Sequence, residues 1–268
     1  MKSSRQNSIG FFDSGIGGTS IWKKVNDLLP NENTIYLADS KNAPYGQKSK
    51  DEIIELSIKN TEFLVNHNVK VIIVACNTAT TNAIQILRSK YSIPFIGIEP
   101  AIKPAGLITK TQRIGILATE RTLNSRLFEK TSEKLDPSIE IIEQIGKGLV
   151  NLIEAGHIDT PEIHNLLNQY IQPMLQKNID ALVLGCTHYP YLIPEIKKII
   201  GENVTIVDSS LAVAKQTKHI LEKFSLQNLE PVSKPKHLFF SNTDSDVLSK
   251  LLKNSSVKII EKSFKKKH

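Results

Sequence analysis

The chain has 268 residues, 40% of them hydrophobic, with 34 Lys+Arg against 27 Asp+Glu and a formal charge of +7. That length holds one large domain or two of ordinary size, and the apolar share suffices for a packed core. No apolar run approaches the roughly eighteen residues of a membrane span, and the opening MKSSRQNS is too short and polar for a secretory signal, so a cytoplasmic protein away from membranes is expected. Two cysteines make no disulfide framework, which also suits a reducing compartment. Four lysines sit in the tail EKSFKKKH (261–268). Without a nucleic-acid-binding motif elsewhere, that tail reads as a solvated end rather than as a nucleic-acid contact.

In chain order, short Val/Ile-rich runs read as strands at 9–13, 34–38, 71–75, 95–98, 113–118, 181–185, 204–208, 237–241 and 257–261. Their continuous apolar character is that of strands buried on both faces. Helix candidates fall between them near 49–66, 78–90, 122–135, 161–177, 190–200, 210–224 and 244–253. The alternation predicts an α/β protein with mostly parallel sheets.

The two halves nearly repeat. Ile9-Gly10 recurs 105 residues later as Ile114-Gly115, Cys76 recurs 110 later as Cys186, and Glu99 has a counterpart 109 later in Asp208. Three landmarks in order at nearly constant spacing point to an ancient duplication. The expected architecture is two pseudosymmetric, doubly wound α/β halves that face each other across a cleft. Each half offers one cysteine at the carboxyl end of a strand, the edge where open α/β sheets bind ligands.

Both thiols also stand before helix signals, Cys76 before Asn77-Thr78 and Cys186 before Thr187-His188-Tyr189-Pro190. A helix N-terminus stabilises a nearby anion by about 0.3–1 kcal/mol, or up to about 2 when partly buried. At about 1.36 kcal/mol per pKa unit this predicts thiols lowered by about one unit. Taken singly, each cysteine could be a small core hydrophobe. Taken as a matched pair, one beside His188, they suggest chemistry. A metal site lacks any CxxC or HxxxH spacing to support it. A cysteine–histidine nucleophile would leave the second thiol without a task. Proton removal from one face of a stereocentre and return to the other uses both. The loop DSGIGG (13–18) lacks the GxGxxG and GK[ST] spacings of nucleotide loops, so its glycines are expected to let backbone approach a small carboxylate.

The motifs FFDSGIGG (11–18), APYGQKS (43–49), ACNTAT (75–80), IEPAIKPA (98–105) and LGCTHYP (184–190) resemble those of the glutamate racemases, in the cofactor-independent Asp/Glu racemase group. The resemblance runs from about residue 8 to 260. It implies interconversion of L- and D-glutamate with no cofactor and no metal, the product feeding bacterial peptidoglycan, by a homodimer. It assigns Cys76 to the D enantiomer and Cys186 to the L enantiomer, with Asp13 and His188 assisting the thiols and Glu154 beside His188. It also implies that Ser14, Asn77, Thr78 and Thr187 bind the substrate, that Tyr45-Gly46 closes over it, and that Thr119 contacts it; Asp13 and His188 also count among the substrate-binding residues. The resemblance further implies that the second half is inserted in the first, giving expected domains of 1–99 with 209–268 and of 100–208. Asp13 could otherwise be a turn or N-cap aspartate, His188 a hydrogen-bonded structural histidine, and Glu154 a solvated helix residue.

Two positions depart from the family pattern: Asn42 stands where many relatives carry arginine, and Gly146 where many carry a third cysteine. Aspartate racemase is the nearest rival, but its second cysteine is usually followed by Thr-Glu, whereas Thr187-His188 follows here. A hydantoin racemase is disfavoured on the same ground. A binding module without catalysis would have no need of two thiols.

Overall fold

A computed structural model describes residues 4–229, 235–252 and 258–261. Among the described residues there are ten strands: β1 (Ile9–Asp13), β2 (Thr34–Ala38), β3 (Val71–Val74), β4 (Phe95–Gly97), β5 (Arg113–Ala118), β6 (Glu140–Ile145), β7 (Ala181–Gly185), β8 (Thr205–Val207), β9 (His237–Ser241) and β10 (Lys258–Glu261). They form two parallel sheets, ordered β10-β9-β2-β1-β3-β4 and β6-β5-β7-β8. The four-strand order 2-1-3-4 of the larger sheet recurs as 6-5-7-8 in the smaller. The recurrence reaches single residues, because Gly10 and Gly115 lie at matching places on the central strands.

Parallel strands need crossovers, and helices supply them on the sheet faces. Alternate residues therefore enter different clusters. Phe11, Tyr36 and Ile73 pack in one core that continues through Leu117, Leu182 and Leu184 of the smaller sheet, whereas Phe12, Leu37 and Val74 pack on the opposite face. Trp22 anchors the shared core by edge contacts with Phe239 and His237, at centroid distances of 4.9 and 5.4 Å. At the amino-terminal edge of the larger sheet, opposite the strand ends that carry the cysteines, Lys70 is buried against Glu32 and donates to the Arg5 carbonyl oxygen at 2.6 Å.

The structure differs from the expected elements in specific ways. The strand β6, EIIEQI, mixes Glu140, Glu143 and Gln144 with three isoleucines because it is the edge of the smaller sheet and is half solvated. Helices at Thr19–Leu28 and Ile102–Ile108 were not expected, and the second carries Pro104 and Gly106; the helix expected at Glu154 is Leu149–Glu154, only 6 residues long. The helix expected over 122–135 is split into Glu120–Leu123 and Arg126–Ser132, with Ser125 capping the second through the Phe128 N–H. The segment expected as helix over 190–200 opens with a tight 3-10 turn at Tyr189–Leu192 before Ile193–Ile200. The basic tail, apart from Glu261, lies outside the described residues.

Candidate active site

The carboxyl ends of the central strands of both sheets meet in one cleft. On the larger-sheet side, β1 runs into the 14–18 glycine loop and ends in Asp13, which is fully buried. The Gly18 N–H donates to Asp13 Oδ2 at 2.7 Å and the Ser14 hydroxyl to Oδ1 at 3.4 Å. Burial raises the Asp13 carboxyl to about 6, against the opposing pull of His188 and of the Gly18 N–H. Cys76 is the N-cap of the helix Asn77–Lys90, with the Ala79 N–H aimed at Sγ from 3.4 Å and its own thiol 3.7 Å from Ser14 Oγ.

This corrects the expectation of a lowered thiol pKa at Cys76. Burial, seconded by the Asp13 carboxylate, pushes the thiol well above its ordinary value, and the Ala79 N–H and Ser14 hydroxyl do not offset it. A helix terminus contributes at most about 2 kcal/mol; desolvating an anion costs more.

On the smaller-sheet side, β7 ends at Gly185 and the next three residues turn sharply, so Cys186 precedes a 3-10 turn rather than an α-helix. Its partner is therefore a side chain. Cys186 Sγ lies 3.7 Å from His188 Nδ1, and His188 Nε2 lies 2.5 Å from Glu154 Oε1. Burial alone would lower the His188 pKa, but the hydrogen bonds and charges of Cys186 and Glu154 hold it well above the usual imidazole range. Glu154 ends the helix Leu149–Glu154, which starts at Gly148 in the left-handed region (φ 85°), a conformation that favours glycine. Its oxygens also accept the Ile16 N–H at 2.7 Å and the Ser40 hydroxyl at 2.9 Å.

The glycine loop is shaped by these partners. A Cβ at Gly15 would overlap the Glu154 carboxylate, and one at Gly17 would overlap the His188 ring. The small carboxylate that this backbone admits is thus one of the protein's own.

The cleft is nearly closed, with a free volume of about 10 Å³. Ten of the twelve residues named from the sequence line it: Ser14, Tyr45, Gly46, Cys76, Asn77, Thr78, Thr119, Cys186, Thr187 and His188, with Pro44 and Val150 beside them. Asp13 and Glu154 stand behind that lining and touch it through Ser14 and His188. Thr78 Oγ1 reaches across to Thr119 Oγ1 at 2.9 Å, and Thr122 completes the hydroxyl cluster at 3.0 Å from Thr119. The Tyr45 hydroxyl does not face the cleft: it donates to Asp39 at 2.5 Å and accepts from the Asn60 amide at 3.0 Å. Asn42, in the place of the family arginine, donates to the same Asp39 at 2.8 Å, and a Cβ at Gly146 would run into the Tyr189 hydroxyl.

The Asn77 side chain is buried, and neither its Nδ2 nor its Oδ1 has a hydrogen-bond partner. Buried amides are normally satisfied, so this one is poised for a ligand. Among the described residues no group of three or more His, Cys, Asp or Glu could hold a metal ion. Sequence reasoning missed Asp39 and Ser40. Asp39 follows the end of β2 as Asp13 ends β1, a signal that was available; Ser40 carries none.

Two thiols at equivalent strand ends thus line one cleft, Cys76 beside Ser14 and Cys186 beside His188. The Asp/Glu/Hydantoin racemase family model matches residues 10–217. A glutamate racemase of Ralstonia pickettii is 43% identical over 227 residues, covering 85% of this chain and 80% of the relative. Glutamate racemase of Francisella tularensis, crystallised with D-glutamate, superposes with a TM-score of 0.82 at 32% identity, covering 96% of this chain and 98% of the other. The Escherichia coli glutamate racemase, in complex with L-glutamate and the activator UDP-MurNAc-ala, gives 0.84 at 29% identity, with 95% and 97% covered. The chain belongs to the Asp/Glu/Hydantoin racemase family and, within it, to the glutamate racemases.

Proposed function

We propose that the protein racemises glutamate without a cofactor, using Cys76 and Cys186 as the two bases. The unpartnered Asn77 amide, buried between the two thiol-bearing strand ends, is the observation that carries this reading. It supplies a donor and an acceptor to a small polar substrate, beside the hydroxyls of Ser14, Thr78 and Thr187 and, across the cleft, Thr119. Tyr45-Gly46 completes the enclosure.

With L-glutamate, the Cys186 thiolate takes the Cα proton, forming S–H as the Cα–H bond breaks. The electron pair left on Cα is delocalised into the α-carboxylate. The Cys76 thiol then delivers its proton to the opposite face and becomes a thiolate, giving D-glutamate. Cys76 is held protonated, as the acid of this direction must be, and a charged His188 faces Cys186. The reverse reaction begins with a thiolate at Cys76, and Asp13, with a carboxyl near 6, is matched to accept that proton near neutrality. Glu154 holds His188 by Nε2 and so leaves Nδ1 to the thiol.

The same reading takes the chain as two domains, 1–99 with 209–268 around 100–208. Ser209 donates to the Glu99 carbonyl oxygen, tying the two crossings together. D-glutamate for peptidoglycan is the inferred use, supported by the bacterial sources of the relatives and by the UDP-MurNAc-ala activator of the Escherichia coli neighbour. A cytoplasmic homodimer belongs to the same proposal. Among the described residues no helix is long and apolar enough to cross a membrane, and Leu107, 87% exposed, is available to a second copy.

The test is proton exchange followed by NMR, with L-glutamate in D₂O, no added cofactor, and Cys186→Ser in parallel. Deuterium at Cα together with D-glutamate, both lost in the variant, is the expected result. Exchange of aspartate alone would move the substrate, and no exchange of either amino acid would remove the catalytic reading.

A further inference from the structure

Glu154 lies on the smaller-sheet side, yet two of its three hydrogen bonds come from the larger-sheet side, from the Ile16 N–H and the Ser40 hydroxyl. The third binds His188. The glycine loop receives this pair closely, since a Cβ at Gly15 or Gly17 would collide with one or the other. Both thiols are nearly sealed, at 4% and 7% exposure, so substrate reaches them only when the two sides part. Parting takes the Ile16 and Ser40 donors away from Glu154 and leaves it His188 alone.

We propose that Ser40, with the Ile16 N–H, is a positioning residue that acts through Glu154: it latches the cleft shut over substrate and, by the same contact, aims His188 at Cys186. The inference rests on the reading above that Cys186 and His188 move a proton. Ser40 does not line the cleft, and its hydroxyl serves the carboxylate. With both larger-sheet donors in place, the Glu154 oxygens are fixed and the imidazole has one orientation. With the cleft open, the carboxylate is free to turn and the imidazole loses that restraint. Proton transfer therefore waits for closure, and the reactive thiolate is aligned only where water is excluded.

The two cysteines of the whole chain are the two in this cleft, so a thiol reagent reads its opening directly. The measurement is the labelling rate of the full-length protein by the chromogenic disulfide reagent DTNB, with and without saturating D-glutamate, for wild type, Ser40→Ala and Ser40→Thr. Ser40→Ala is expected to label about tenfold faster without substrate, equivalent to about 1.4 kcal/mol in the closure equilibrium. Its KM for either enantiomer should rise by a similar factor while kcat changes less, and Ser40→Thr, which keeps the hydroxyl, should restore both. Unchanged labelling and KM in Ser40→Ala would overturn the latch even if the wild type racemises glutamate. Faster labelling that threonine does not reverse would also overturn it, since packing rather than the hydroxyl would be responsible. Faster labelling reversed by threonine, in a protein that racemises nothing, would support the latch and remove the racemase reading.

Discussion

Cys76 and Cys186 stand at the ends of β3 and β7, strands with the same place in the same sheet order, yet their surroundings differ. Cys76 caps an α-helix and is backed by a buried carboxylate. Cys186 precedes a 3-10 turn and is backed by an imidazole that a second carboxylate holds. A duplicated frame thus places two thiols symmetrically while each half sets a different titratable neighbour beside its own. Mirror-image substrates demand the symmetry of position. Burial and then the Asp13 charge hold the Cys76 thiol protonated, whereas a positively charged imidazole faces Cys186.

The sharpest way to break the comparison is to remove either sulfur. Cys76→Ser and Cys186→Ser should each lower kcat by about 10³-fold or more, the upper range of general acid–base contributions. Rates by polarimetry that spare either variant would show that only one wall is reactive.

Removing the partners is next in size. Asp13→Asn and His188→Asn should each cost about 10²-fold in kcat. Because L- and D-glutamate have equal free energy, kcat/KM must fall equally in both directions. The two variants should part in the primary isotope effect, larger for Cα-deuterated D-glutamate in Asp13→Asn and for Cα-deuterated L-glutamate in His188→Asn. Identical isotope effects would mean that the partners are not assigned to separate thiols.

The pH dependence sharpens the Cys76 side. With Asp13 near 6, activity should fall below about pH 6 as the carboxyl takes up a proton, and this limb should vanish in Asp13→Asn. For stability the sign is fixed by a folded pKa above the unfolded one. The protonated carboxyl stabilises the fold at low pH, and that contribution is lost as pH rises through 6. Asp13→Asn should therefore gain about 2 kcal/mol relative to wild type on going from pH 4 to pH 8, since a tenfold change in proton affinity is worth about 1.36 kcal/mol. Urea melts at the two pH values measure it.

The smallest effect tests the fit of the loop to the Cys186 side. Gly17→Ala places a methyl against the His188 ring. It should lower kcat about tenfold, about 1.4 kcal/mol, with little change in thermal midpoint, because the ring can yield only by leaving its hydrogen bonds. A kcat equal to wild type would show that His188 tolerates displacement.

Much of the frame was legible because buried parallel strands are continuous apolar runs, and β1, β2, β5, β7 and β9 fall at the expected residues. The strand β6 escaped because polar residues interrupt the apolar run of an edge strand, and the helix Thr19–Leu28 escaped because it follows the glycine loop with no side-chain cap. In the cleft, the cysteines, His188 and Asn77 could be found because each stands next to a strand end. The engagement of the Tyr45 hydroxyl by Asp39 and Asn60 had no sequence signal, since it is a contact between separate elements of the chain.

The sequence by itself determined the α/β frame, its internal repeat and the two thiols, because these are written in local hydrophobic pattern and in rare residues at strand ends. Only the tertiary structure decided the state of Cys76 and the company both thiols keep. The raised Cys76 thiol, the near-neutral Asp13 carboxyl and the span from Ser40 through Glu154 to His188 depend on burial and on groups brought together from distant segments of the chain. Desolvation and hydrogen-bond geometry are properties of the assembled cleft, and no local window of sequence contains them.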